Sequence, residues 1–128
     1  MDAFAVAHAL LLDFETRLRL TTLTANEPFL FQTNTGAENY TGVMSWSLKG
    51  FAKALETVDV KALEFHNRRG DFEPWAEHCL QDKTLSRELQ EARESKLKGE
   101  QLRKALVEIA AKRFRELSRE TEKATRLF

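Results

Sequence analysis

Apolar side chains recur every three or four positions along most of the chain. Phe4, Ala7, Leu11, Phe14 and Leu18, with Leu10 beside them, form one stripe on a helical period. They predict a first amphipathic helix that runs to about Leu20 or Leu23. Thr21, Thr22 and Thr24 weaken it, and Asn26-Glu27-Pro28 ends it, because the residue before a proline avoids the helical region. Leu48, Phe51, Ala52, Leu55 and Val58 predict a second helix, capped by Ser45 or Ser47. Asp59 is placed to cap a third, from Val60 to about Arg69, which Gly70 terminates. Asp71 is placed to cap a fourth, short helix, with Pro74 in its first turn, where a missing N–H does no harm. Asp82 or Thr84 opens the last helical region through Leu85 and Leu89. The stripe thins between Glu91 and Gly99, then returns as Leu102, Leu106, Ile109, Ala110, Phe114, Leu117 and Leu127.

Between the first two helices lies Phe29-Leu30-Phe31-Gln32-Thr33, a run rich in strand formers. No second good strand candidate pairs with it, so it reads as an extended connector whose phenylalanines plug the core. Asn34 to Gly42 is polar, holds two glycines and reads as a loop. The class expected is therefore all-α: a compact bundle of five or six helices, several of them short, with a long amphipathic C-terminal helix. Residues 1–98 form the body, with residues 28–90 at its centre, and residues 99–128 form a charged tail. Trp46, Phe65, Phe72 and Trp75 are the expected aromatic anchors, and Cys79 a small buried hydrophobe.

Composition narrows the class. The 128 residues, 42% of them hydrophobic, suffice for one domain with a real core. A single cysteine excludes an internal disulfide framework and a multi-cysteine zinc site, and suits a reducing compartment. The longest apolar run, Ala3 to Leu12, is well short of the roughly 20 residues of a membrane span, and Asp2 replaces the basic start of a signal peptide. A cytoplasmic protein with no membrane contact is expected.

The zero net charge hides a split. Residues 1–82 carry 7 basic and 12 acidic side chains, whereas residues 83–128 carry 13 basic and 8 acidic. On the tail, Lys104, Lys112, Arg115, Arg119, Lys123 and Arg126 lie opposite the apolar stripe. This is either a solvated helix face, a surface for phosphates, or one half of a self-association. The stripe itself needs covering, by its own body or by another chain. The thin segment before Gly99 suggests that the tail leaves the body there, and so predicts a homodimer over a monomer.

Candidate chemistry gathers at one corner, Leu63-Glu64-Phe65-His66-Asn67-Arg68-Arg69-Gly70-Asp71-Phe72-Glu73-Pro74-Trp75. His66 beside Asp71 or Glu73 has the makings of an acid–base pair, although a histidine next to Phe65 in a helix is more often hydrogen-bonded and structural. Arg68 and Arg69 either lock the corner to Asp71, Glu64 or Glu73, or present a guanidinium fork to an anion. A metal reading would need His66, His78 and a carboxylate, and a 12-residue gap across a turn is unlike the spacing that puts two histidines on one helix face. No catalytic triad, phosphate loop, metal set or cofactor is expected. The ligand or partner candidates are His66, Arg68, Arg69, Asp71, Glu73 and Trp75.

The stretch from Phe29 to Leu89 resembles a small prokaryotic family of domains without an established activity. The residues that carry the likeness are Phe29, Phe31, Thr33 and Gly36, then Thr41-Gly42, Leu48, Phe51, Leu55 and Val58-Asp59. They continue through Leu63, Phe65-His66, Arg69-Gly70-Asp71-Phe72, Trp75, Asp82 and Leu85. The resemblance implies a shared fold and no activity. The reading that remains is a non-enzymatic helical binding or assembly module working through protein–protein contacts. Its rivals are a nucleic-acid-associated protein using the basic tail face, and a small-ligand protein or enzyme using the His66–Trp75 corner.

Overall fold

The computed structural model describes residues 25–126, the backbone of its last helix through Arg126 and side chains there only in part. The predicted first helix and Leu127 lie outside the described residues. The chain forms two antiparallel strands and then a series of helices. The strands are β1 (Phe29–Gln32) and β2 (Tyr40–Ser45). The helices are α1 (Leu48–Thr57), α2 (Val60–Arg69), α3 (Phe72–Pro74), α4 (Lys83–Glu94) and α5 (Gly99–Arg126). A wide π turn, Trp75–Cys79, continues α3.

The fold is thus mostly helical but not all-α, which corrects the expected class. Phe29–Gln32 is a strand because Tyr40–Ser45, half of it read as loop, pairs with it: Phe29 opposes Ser45 and Leu30 opposes Met44. Farther along, Gln32 opposes Tyr40, so three residues of β2 face the single Phe31. Gly42, at φ 86°, supplies the left-handed backbone that this bulge requires. The bulge keeps Phe31 fully buried, and its carbonyl accepts from Thr41 Oγ1 at 2.8 Å.

The caps follow the sequence closely. Ser47 accepts from Gly50 N–H at 3.1 Å and starts α1, and Asp59 accepts from Lys61 N–H at 2.9 Å and starts α2. Gly70 ends α2 in the left-handed region, and Asp82 accepts from Leu85 N–H at 3.0 Å to start α4. Asp71 departs from this pattern. It makes no side-chain cap on α3, because its carboxylate turns back to His66.

One core runs through the whole described chain. Phe29, Phe31, Phe51, Phe72 and Trp75 pack edge-on or tilted, with Phe31 and Phe51 stacked, at ring separations of 4.8 to 6.4 Å. The Trp75 indole N–H donates to the Glu27 carbonyl at 2.8 Å. Leu102, Leu106, Ala110 and Leu117 of α5 belong to the same core. The chain turns at Lys96 and Gly99, both with positive φ, and α5 lies back across α1, α2 and α4. The expected exit of the tail at Gly99 is therefore corrected: its stripe is covered by its own body, and the boundary at 98/99 divides no core. Trp46 is a second correction, being 41% exposed rather than a core anchor. Cys79 is half-buried at the core's edge.

Candidate functional site

The corner is built by α2 and its glycine cap. Ala62, Leu63, Phe65 and His66 form the buried face of the helix. Gly70 reverses the chain so that its N–H and that of Asp71 return to α2 carbonyls. That reversal brings Asp71 Oδ2 to 2.8 Å from His66 Nδ1. The other ring nitrogen, Nε2, accepts the backbone N–H of Gln32 in β1 at 2.8 Å. An N–H can be received only by a lone pair, so Nε2 is bare and Nδ1 carries the hydrogen. Burial pushes the His66 pKa below its usual value, against the opposing pull of the Asp71 hydrogen bond and charge. The imidazole is neutral, 3% exposed and engaged at both nitrogens. It joins β1 to the end of α2 and has no lone pair or proton to offer a substrate.

The remaining corner residues are drawn into the fold to different degrees. Arg69 sits 3.4 Å from Asp71 Oδ2, with its guanidinium over the Phe65 ring at 4.8 Å. Glu73 accepts from Arg93 Nε at 2.7 Å and its carbonyl accepts from Ser86 Oγ, so α3 is tied twice to α4. Trp75 is buried. Arg68 alone among the candidates is exposed and makes no ion pair or hydrogen bond. It borders a cleft of about 290 Å³ between α2, the end of α4 and the start of α5. Asn67, Arg93, Lys96 and Lys98 line the same cleft, over an apolar floor of Leu97 and Leu102.

None of those four was singled out from sequence. Arg93, Lys96 and Lys98 fall in the stretch read as weakly apolar helix, where three cations in six residues were a signal of charge density. Two further arginines were missed. Arg103 donates from Nη1 to the Leu55 carbonyl and from Nη2 to the Val58 carbonyl, both at 2.8 Å. It thereby satisfies carbonyls that the end of α1 would leave unpaired. Arg113 donates from Nε to Asp82 Oδ2 at 2.8 Å, with both side chains largely buried. Burial opposes the Arg113 charge, but Asp82, Glu116 and Glu120 outweigh it, and its pKa is raised.

The basic tail face divides. Lys112 approaches Glu88 of α4 at 3.7 Å. Lys104, Arg115, Arg119 and Lys123 are exposed among Glu108, Glu120 and Glu122, and Arg126 continues the helix. The charge split is thus partly neutralised within one chain, through Arg113–Asp82 and Arg93–Glu73. His78 is largely exposed, with Glu77 3.9 Å away. Among the described residues no group of three or more His, Cys, Asp or Glu side chains is placed to hold a metal ion. No described helix is long and apolar enough to cross a membrane.

The outer face of the hairpin is the other feature without a partner. Leu30 is 44% exposed, Met44 48% and Trp46 41%, and these are the exposed large hydrophobics of the described chain. Leu30 stands opposite Met44, and Trp46 follows two residues on, just past the end of β2. No family model matches this chain, and no curated protein or solved structure matches it.

Proposed function

We propose that the protein is a non-enzymatic, cytoplasmic binding and assembly module that makes protein–protein contacts through the outer face of its hairpin. The observation that carries this is the exposure of Leu30 and Met44, paired across the hairpin, and of Trp46 two residues beyond, where the other large apolar side chains of the described residues are at least partly covered. Contiguous apolar surface of this kind marks contact sites, and a tryptophan and a methionine are favoured in them. The single cysteine supports a reducing compartment. The Phe29–Leu89 resemblance supports a shared fold and adds no activity.

The occupant proposed is the amphipathic stripe of a second copy, Phe4 to Leu18. A helical stripe of that length covers about 21 Å, close to the roughly 20 Å of a six-residue strand. The segment joins the described chain at Ala25, whose N–H donates to the Trp46 carbonyl at 3.1 Å, at the rim of the exposed patch. Homodimerisation therefore stays the favoured reading, carried now by the hairpin and not by the tail. A nucleic-acid role for the tail is supported less, because glutamates interrupt its basic face and two of its cations, Lys112 and Arg113, are paired to the body.

Light scattering tests the reading. The wild type should run as a dimer at micromolar concentration, and Met44→Ser/Trp46→Ser as a folded monomer. A wild type that stays at 14.7 kDa would overturn self-association.

A further inference from the structure

The cleft beside the corner holds a concentration of positive charge that the fold does not use. Its lining brings Arg68 from α2, Arg93 from the last turn of α4, and Lys96 and Lys98 from the connecting turn around one volume of about 290 Å³. Among the described residues Arg68, Lys96 and Lys98 make no ion pair. Arg93 spends its Nε on Glu73 and keeps both terminal nitrogens free of hydrogen bonds. Glu64 lines the cleft too and Glu73 offsets Arg93, so the remaining cations, Arg68, Lys96 and Lys98, exceed the free carboxylate there by two. Like charges gathered this closely repel unless an anion joins them.

A further observation points to a ligand. Asn67 is only 7% exposed, lines the cleft, and its Oδ1 has no hydrogen-bond partner. A buried carbonyl oxygen left unpaired is costly until a donor N–H or O–H meets it.

We infer that this cleft is a binding site for a small phosphate monoester. Arg68, Lys96 and Lys98 would hold the phosphoryl oxygens, with the free guanidinium nitrogens of Arg93 completing the shell. Asn67 Oδ1 would accept from a hydroxyl beside the phosphate, and an apolar group would rest on Leu97 and Leu102. Bidentate arginine and point-charge lysine together suit a dianion. This site shares no residue with the hairpin face.

Phenyl phosphate is a suitable probe, because it joins a dianion to an apolar ring. Titration of the full-length protein followed by amide NMR should show one saturable site, with shifts at Asn67, Arg68, Leu97 and Leu102. Inorganic phosphate should bind the same site more weakly. Arg68→Gln/Lys98→Gln changes two exposed side chains, and should keep the melting temperature while weakening binding at least about tenfold. Glu64→Gln should tighten it, a gain that damage to the fold cannot produce. Absence of saturable shifts in the wild type up to about 10 mM phenyl phosphate would overturn the site. So would unchanged affinity in the double variant. A single-stranded oligonucleotide that outcompetes phenyl phosphate through the same residues would replace the small ligand with nucleic acid.

Discussion

Met44 stands opposite Leu30 across the hairpin, and both side chains are close to half exposed. On the other face of the sheet, Phe29, its opposite Ser45, and Phe31 turn into the core. The same two strands thus bury one face and leave the other apolar and open, where a hairpin edge facing only water would normally carry polar residues. Replacing both with polar residues should therefore leave the fold intact. Leu30→Thr/Met44→Thr is expected to change stability by no more than about 0.5 kcal/mol, as surface substitutions do, and to abolish self-association. Denaturant titration alongside light scattering reads the two effects separately.

His66 makes a pH-dependent contribution. Its folded pKa is lowered, chiefly by burial, and its unfolded value is near 6.5. Between those two values the unfolded chain binds the proton more readily, so stability rises with pH through that window and is complete above about 6.5. Acidification from neutral pH should lower the melting temperature. In His66→Gln that dependence should flatten, with a loss of about 1–3 kcal/mol at neutral pH from the unpaired Gln32 N–H and Asp71 carboxylate. Thermal melts between mildly acidic and neutral pH measure both.

Arg103 closes α1 from a different element. Arg103→Gln should destabilise the protein by about 1.5–3 kcal/mol, because the Leu55 and Val58 carbonyls lose a charged donor. Arg103→Lys should not rescue it, since one ammonium lacks the planar fork that reaches two carbonyls. Chemical denaturation midpoints of the three proteins provide the comparison.

A chain ending at Gly99 should fail to fold. It would strip Leu102, Leu106, Ala110 and Leu117 from the core and remove the Arg113 partner of Asp82. The expected product aggregates and lacks a cooperative melt. A soluble truncated chain with a sharp transition would show that residues 1–98 are a domain in their own right.

Local signals made the helices legible, while the features that define the candidate surfaces depend on partners distant in the chain. Asp59, Gly70 and Asp82 announce helix ends because each satisfies backbone groups within a few residues of itself. The pairing of β1 with β2 was hidden by Gly42, whose bulge breaks the alternation that marks a strand. Asp71 looked like a cap because sequence spacing cannot show that its carboxylate is claimed by His66. Arg103 and Arg113 flank the α5 stripe, and periodicity places such residues on a face without saying whether their long stems tuck inward. The cleft cations come from α2, α4 and the turn before α5, and only the tertiary fold brings Arg68 to Lys96 and Lys98.

The most direct test of the hairpin as contact surface is fluorine NMR of protein labelled with 5-fluorotryptophan, followed over a dilution series. The chain has two tryptophans, one exposed in the proposed interface and one buried in the core. Trp46→Phe assigns the signals. The account predicts that the Trp46 resonance shifts with concentration and loses its solvent isotope effect as the dimer forms, while the Trp75 resonance stays fixed. A Trp46 signal that keeps one position and a full solvent isotope effect at every concentration would contradict it.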